Sequence, residues 1–186
     1  TISYTNTVDE PPTPVRDTIF SDQDVTGNTT TSTYVNINKV RTFGAEFVTQ
    51  RRDFLIPNHD LSFNASYTDA EIRRHDSRPT SKGNKLPRIP EWRIKFQSLY
   101  HIENNWDAMV AGRYQAKAFG RIQNDDILRG DGGQDEYFFM DFKTTYRTKK
   151  VNASIGVNNI TDQFAYTGPH PFPNRTYSVD LQWKFM

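Results

Sequence analysis

The feature that most constrains this chain is a period of two. Between residues 176 and 185, Tyr177, Val179, Leu181, Trp183 and Phe185 alternate with Thr176, Ser178, Asp180, Gln182 and Lys184. Successive side chains of a strand point to opposite faces, so this segment reads as a strand with one apolar and one polar face. The pattern recurs upstream. Trp92, Ile94, Phe96, Ser98, Tyr100 and Ile102 oppose Arg93, Lys95, Gln97 and His101. Trp106, Ala108, Val110, Gly112 and Tyr114 oppose Asp107, Arg113, Gln115 and Lys117. Phe138, Met140, Phe142, Thr144 and Tyr146 oppose Asp141, Lys143, Thr145 and Arg147. Leu61, Phe63, Ala65 and Tyr67 oppose Ser62, Asn64, Ser66 and Thr68, and Ala153, Ile155 and Val157 oppose Asn152, Ser154 and Asn158. Residues 35 to 49 alternate less cleanly, because Lys39 and Arg41 fall among the apolar positions. Ile2 and Tyr4 are expected to belong to an eighth strand. No segment sustains a helical period.

Composition agrees. There are 13 Phe, 9 Tyr and 3 Trp but only 6 Leu. Aromatic residues favour strands, and disordered chains lack them. This outweighs a mean hydropathy of −0.78, which taken alone fits a soluble or partly disordered chain. The net charge of +1 rules out binding of nucleic acid through bulk charge. The absence of cysteine removes disulfides, thiolate metal sites and a Cys nucleophile. No apolar run approaches the roughly 20 residues of a membrane helix. The chain opens on Thr1 rather than Met and is read as a mature product or a fragment.

The connections alternate in length. Residues 5–33, 74–91, 123–136 and 161–175 are long. Residues 103–105 and 148–150 are tight turns, and 52–60 is intermediate. Long connections therefore fall at one end of every hairpin and short ones at the other. That is the layout of an antiparallel up-and-down transmembrane β-barrel. Trp92, Trp106, Trp183, Tyr67, Tyr100, Tyr146 and Tyr177 fall near strand ends, where a membrane barrel carries its two aromatic girdles. A soluble ligand-binding β-barrel or sandwich shares the alternation, since its polar face would simply be solvated.

Read together, several segments resemble the C-terminal part of a TonB-dependent outer-membrane receptor. They are Lys39-Val40-Arg41-Thr42-Phe43-Gly44-Ala45-Glu46-Phe47, then Leu61 to Glu71 followed by Gly83 to Arg93, then Gly156-Val157-Asn158-Asn159-Ile160-Thr161-Asp162, and finally Pro171 to Tyr177 running on to Trp183-Lys184-Phe185. Spacing and order match over roughly residues 35 to 186. The family usually ends on the aromatic, whereas this chain continues to Met186. The resemblance implies an all-β fold, with about seven or eight strands of a barrel of about 22 whose lumen is closed by an N-terminal plug. Residues 1–186 would be its C-terminal portion, without the plug, the earlier strands or a TonB-contact segment. It further implies a bacterial outer-membrane location and TonB-coupled uptake of a scarce ligand such as a ferric siderophore. The implied partners are outer-membrane lipid, lipopolysaccharide, the barrel-assembly machinery and the TonB complex, the last through the plug. No cofactor is implied.

Site candidates follow. The polar faces place Arg93, Lys95, Arg113, Gln115, Asp141, Lys143 and Arg147 towards the lumen. The long connection after Arg73 carries Arg74, His75, Arg78, Lys82, Lys85 and Arg88. This basic cluster could attract an anionic ligand or lipopolysaccharide phosphates, or simply be solvated. His170, near Phe164, Tyr166 and Phe172, is a further loop candidate for ligand contact. Asp125, Asp126, Asp131, Asp135 and Glu136 offer hard oxygens for calcium, but their spacing matches no EF-hand, and an ordinary acidic loop is the simpler reading. No metal site is expected. Tyr177, Val179, Leu181, Trp183 and Phe185 form the row that resembles the signal read by the assembly machinery, where an exposed edge strand can be captured by strand addition. No Ser/His/Asp spacing, phosphate loop or zinc pattern points to an enzyme. The rival reading is a complete eight-stranded membrane barrel with a structural or adhesive role.

Overall fold

In the computed structural model the described residues are 36–103, 105–126, 132–168 and 170–185, with the backbone of 2–5, 22–23 and 29–30. Eight strands form one antiparallel sheet: β1 Ile2–Thr5, β2 Lys39–Arg51, β3 His59–Arg74, β4 Trp92–Glu103, β5 Trp106–Gln115, β6 Tyr137–Arg147, β7 Val151–Asn158 and β8 Thr176–Trp183. Each strand pairs with the next in sequence, so the topology is up-and-down throughout. The sheet is open, with β1 and β8 at its edges. Tyr166–Thr167 and His170–Pro171 make a small separate hairpin. Among the described residues the only helical element is one 3₁₀ turn at Pro79–Ser81.

Register carries the alternation from strand to strand. Directly paired residues of an antiparallel ladder share a face. Phe47 pairs with Ala65, and Ala65 with Ile94. Ile94 pairs with Tyr114, and Tyr114 with Phe138. Lower down, Val110 pairs with Phe142, Phe142 with Val157, and Val157 with Tyr177. The apolar rows of seven strands, β2 to β8, thus merge into one apolar face. A single-residue slip anywhere would have sent a strand's apolar set to the other side. Rings pack along this face, as in Phe47–Phe63 at 6.1 Å, Tyr67–Trp92 at 4.9 Å and Trp106–Tyr146 at 4.8 Å. Gly112 lies under the ring of Phe96, where any Cβ would collide with it.

This apolar face is not a core. Val179 is 76% exposed, Leu181 74%, Phe47 59% and Ile155 58%. A continuous apolar patch of this kind is rare on a protein surrounded by water and marks contact with another apolar medium. Its rings sit in two bands. Tyr67, Trp92, Tyr114, Phe138 and Tyr177 lie towards the long connections, and Tyr100, Trp106, Tyr146 and Trp183 towards the short turns. From Tyr114 to Trp106 the strand runs about 27 Å, or about 20 Å of depth at a barrel's usual tilt, close to the apolar height of an outer-membrane barrel. Lys39 and Arg41, which blur the sequence pattern of β2, lie beyond the first band. There Arg41 binds Asp69 at 3.2 Å and Glu71 at 3.1 Å.

The dry interior sits at the long-connection end. Ala70, Ile72, His75, Ser81, Pro90, Ala118, Phe139, Asn159 and Ala165 are buried there. The β3–β4 connection joins the β5–β6 connection through the Arg88 amide, which donates to the Phe119 carbonyl at 2.6 Å, and through Asn124, which bonds the backbone of Lys85 in both directions. Ala118 and Gln134 exchange backbone bonds, and Gln134 bridges to Thr167. The long connections therefore extend the sheet beyond the apolar band.

Candidate functional site

The opposite face is polar, and register determines its membership. Arg93 pairs with Gln115 and Lys95 with Arg113. Asp141 pairs with Ala111, Lys143 with Gly156 and Arg147 with Asn152. All seven polar-face candidates named from sequence share this face. Lys95, Arg113 and Asp141, together with Ser62, Asn64 and Gln97, line a shallow groove of about 390 Å³. Lys143 lies 3.5 Å from Asp180, whose carboxylate also accepts from the Ser154 hydroxyl at 3.0 Å. The Gln115 amide donates to Gln134 at 2.9 Å, tying the strand end to the cap above it.

Two features of this face were not read from the sequence. The first is aromatic. Tyr137 and Phe139 point with the charges and stack at 4.5 Å, and Phe172 from the β7–β8 connection packs on both, at 5.0 and 5.3 Å. Arg113 sits 5.2 Å over Phe139. The run Tyr137-Phe138-Phe139 carried the signal, since three aromatics in succession must put rings on both faces. The second is ionic and lies at the short-turn end. Asp107 is buried, with His101 Nδ1 at 2.5 Å and the Arg147 guanidinium against its other oxygen. Asp60 lies 3.8 Å from His101 Nε2. Asp60 and Arg147 lie far along the chain from His101 and Asp107, and strand pairing makes the four neighbours.

The basic cluster after Arg73 divides. His75, expected at an exposed position, is 3% exposed and hydrogen-bonds the Ser81 hydroxyl at 2.9 Å. Burial, and then the nearby charge of Arg78, hold its pKa below the ordinary value. Lys85 is also not a free loop cation. It bonds Asp69 at 2.7 Å and Glu91 at 2.5 Å, and these carboxylates raise its pKa. Arg74 lies 3.4 Å from Asp76 and is exposed, as are Arg78, Lys82 and Arg88. His170 is exposed on the small hairpin near the Phe164–Tyr166 ring pair.

The acidic connection is only partly described, and Asp131 lies outside the described residues. Asp126 accepts from the Gly120 amide, Asp135 from the Tyr166 amide at 2.9 Å, and Glu136 from the Tyr114 hydroxyl at 2.8 Å. These carboxylates act as structural acceptors. Among the described residues no three His, Asp or Glu side chains are grouped to hold a metal.

Asn158-Asn159-Ile160-Thr161-Asp162 forms a knot that ends β7. Asn159 and Asp162 have positive φ, 52° and 50°, which asparagine and aspartate tolerate better than most residues. The buried Asn159 amide side chain donates to the carbonyls of Gln163 at 2.9 Å and Pro173 at 3.2 Å, and its own backbone amide donates to Asp141 at 2.8 Å. The Arg175 amide donates to Asp162 at 2.9 Å. A polar-face carboxylate, the end of β7 and the β7–β8 connection are thereby coupled.

The row Tyr177, Val179, Leu181, Trp183 and Phe185 is exposed along the edge of the sheet, and among the described residues β8 pairs with β7 alone.

Comparison with known proteins matches this geometry. Residues 13–160 match the family model described as TonB dependent receptor-like, beta-barrel. The ferripyoverdine receptor of Pseudomonas aeruginosa is 25% identical over 118 residues, which are 61% of this chain and 14% of that protein. Among solved structures, the ferric citrate transporter FecA in its unliganded form aligns with a TM-score of 0.67 at 22% identity, covering 79% of this chain and 24% of that one. The siderophore receptor PiuA of Acinetobacter baumannii aligns with a TM-score of 0.66 at 16% identity, covering 79% and 22%. The chain thus spans about a quarter or less of the relatives it matches. Its two-faced, sequentially paired sheet is their fold, and the chain belongs to the TonB-dependent receptor β-barrel family, a family of bacterial outer-membrane transport receptors and not of enzymes.

Proposed function

We propose that this chain supplies the C-terminal barrel strands and outer loops of a TonB-coupled outer-membrane receptor that takes up a ferric siderophore or a similarly scarce, anionic chelate. The observation that carries the reading is the division of the sheet into an exposed apolar face and a charged face. Lipid satisfies the first face. A water-filled or plugged lumen satisfies the second. Two open edges need further strands, because a backbone in hydrocarbon tolerates no unpaired edge. On this reading the plug and the earlier strands belong to the rest of the protein, and coupling to TonB runs through the plug. The named relatives take ferripyoverdine and ferric citrate, both iron chelates.

Within the chain, Arg74, Arg78, Lys82, Arg88 and His170 are exposed at the rim of the long connections, where an anionic chelate would arrive. Arg93, Lys95 and Arg113 continue that positive charge along the polar face. Lipopolysaccharide would meet the outward charge belt of Arg41, Arg73 and Lys85 above the Tyr67–Trp92 ring pair. The assembly machinery would meet the β8 edge.

The test is uptake of radiolabelled ferric siderophores by iron-starved cells with and without the gene, together with the intact mass of the outer-membrane protein that carries this sequence. Loss of uptake of one chelate on deletion, and a mass several-fold above 21.6 kDa, are the expected results. Unchanged uptake of every chelate, with a mass near that value, would replace this reading with a small structural or adhesive barrel.

A further inference from the structure

The short-turn rim is not uniform. Two of its turns are polar: Glu103-Asn104-Asn105 between β4 and β5, and Thr148-Lys149-Lys150 between β6 and β7. The turn between β2 and β3 reads Arg52-Asp53-Phe54-Leu55-Ile56-Pro57-Asn58, and its tip is apolar. Leu55 is 85% exposed and Ile56 50%.

This exposure is built in and does not come from fraying. The Asn58 amide donates to the Asp53 carboxylate at 2.7 Å, the Phe54 amide to the His59 carbonyl at 2.6 Å, and the His101 amide to the Asn58 carbonyl at 2.9 Å. Asp53, Leu55 and Asn58 all have positive φ, at 50°, 66° and 65°. For leucine that backbone is an outlier, kept only where the surroundings impose it. Here it holds an apolar side chain away from the protein.

The turn also leans in a definite direction. His59 Nδ1 donates to the Phe54 carbonyl at 2.7 Å, leaving Nε2 to accept from the Ser98 hydroxyl at 2.8 Å, and the Phe54 and His59 rings lie 6.1 Å apart. His59 pairs with Tyr100, and Ser98 with Leu61 and Val110, so both belong to the apolar face. The apolar tip therefore continues that face beyond its edge. It does so where the second aromatic band has a gap. β4, β5, β6 and β8 each bring a Tyr or Trp to that band, whereas the lower ends of β2 and β3 bring Thr49, Arg51, Leu61 and His59. Arg51 and Arg52 flank the tip and are exposed.

We propose that the β2–β3 turn is a membrane-surface anchor. Phe54, Leu55 and Ile56 enter the boundary between headgroups and acyl chains of the periplasmic leaflet, and Arg51 and Arg52 engage its phospholipid phosphates. Apolar side chains beneath flanking basic ones are the standard chemistry of an interfacial anchor. The proposal rests on the membrane-barrel reading above. It goes beyond that reading by assigning a lipid contact to a connection rather than to a strand.

These 186 residues contain no cysteine, so a single label placed among them meets no competing thiol within this region. In the intact receptor, Leu55→Cys, Ile155→Cys and Lys149→Cys would each carry a nitroxide, in bilayers of phosphatidylethanolamine and phosphatidylglycerol. Collision with oxygen reports lipid, and collision with a water-soluble nickel chelate reports water. Position 155 should be oxygen-dominated and position 149 nickel-dominated. Position 55 should show nickel collisions reduced about fivefold or more relative to 149, with oxygen collisions retained. Adding Arg51→Gln and Arg52→Gln should raise the nickel value at 55 and leave 155 unchanged. Nickel access at 55 equal to that at 149 overturns the anchor while the barrel reading stands. So does protection at 55 from both probes, because protein rather than lipid then covers the turn. Nickel access at 155 would overturn the barrel reading and the anchor together.

Discussion

Phe142 and Lys143 are neighbours on β6, held by the same ladder of backbone bonds, yet they face different media. Phe142 belongs to a row that runs through Val110, Val157 and Tyr177, in which Phe142 and Tyr177 stand exposed. Lys143 belongs to a face of charges and amides with Asp141, Ser154 and Asp180 around it. Nothing in the backbone distinguishes the two sides. What differs is the solvent each side is built for. An apolar face in hydrocarbon gives up nothing by exposure but cannot tolerate a charge. The polar face can exchange one hydrogen-bonding group for another at little cost.

Substitutions can break that contrast. Ile155→Arg places a charge in the middle of the apolar face, where Ile155 pairs with Thr144 and Val179. The expected loss is about 2–4 kcal/mol in a bilayer, read as a lower denaturant midpoint for the reconstituted receptor. A loss below that of any polar-face change would mean that this face does not meet lipid.

Asn159→Ala tests the knot above the band. It removes the two donations that the buried Asn159 side chain makes to the Gln163 and Pro173 carbonyls. A local cost of about 1–3 kcal/mol is expected, seen as faster hydrogen exchange across residues 160–175 with exchange in β6 unchanged. Faster exchange throughout the sheet would show that the knot is part of the barrel's global stability and not confined to the cap.

Arg147→Met strips the guanidinium from buried Asp107 and leaves His101 as its partner. About 1–2 kcal/mol should be lost, because a buried carboxylate loses an ion-pair partner. A double-mutant cycle with Asp107→Asn checks it, and a coupling energy near zero would remove this pair from the account.

Lys143→Gln is the quiet counterpart of Ile155→Arg. Its partner Asp180 is exposed, and a screened pair of this kind contributes roughly 0–1 kcal/mol. The midpoint should scarcely move. A large shift would mean that the polar face is far drier than its exposure indicates.

The smallest effect is local and depends on pH. Burial lowers the pKa of His75 below its ordinary 6.5, so the opened loop binds a proton more readily than the folded one. The stability this contributes is present above that value and is lost as pH falls through the lowered one. Amide protection at Arg78, Ser81, Gly83 and Asn84 should therefore weaken between pH 7 and 5, after correction for intrinsic exchange. Constant protection would contradict the neutral, buried His75.

The strands were legible in the sequence because one physical rule, alternation across a pleated backbone, determines both the pattern and the fold. The polar-face residues from Arg93 to Arg147 followed from the same rule. The loop chemistry was not legible for the opposite reason. His75 looked like one cation among several, but its burial depends on how Ser81 folds back after the Pro79 turn. Lys85 looked like an exposed ligand group, yet its partners Asp69 and Glu91 reach it only across a strand end and a connection. Phe139 was hidden by the stronger signal of Phe138 beside it. In none of these cases does a periodicity announce the contact that decides the residue's role.

By itself the sequence determined that this chain forms two-faced strands, which residues lie on each face, and at which end the long connections gather. These follow from each strand's own side chains and need no knowledge of its neighbours. Only the tertiary structure decided which charges meet, as at Asp107, and which loop groups are buried. It also decided where an apolar turn turns outward, as at Leu55. Those outcomes depend on strand register and on the path of connections packing against one another, which are properties of contacts between segments and not of any segment alone.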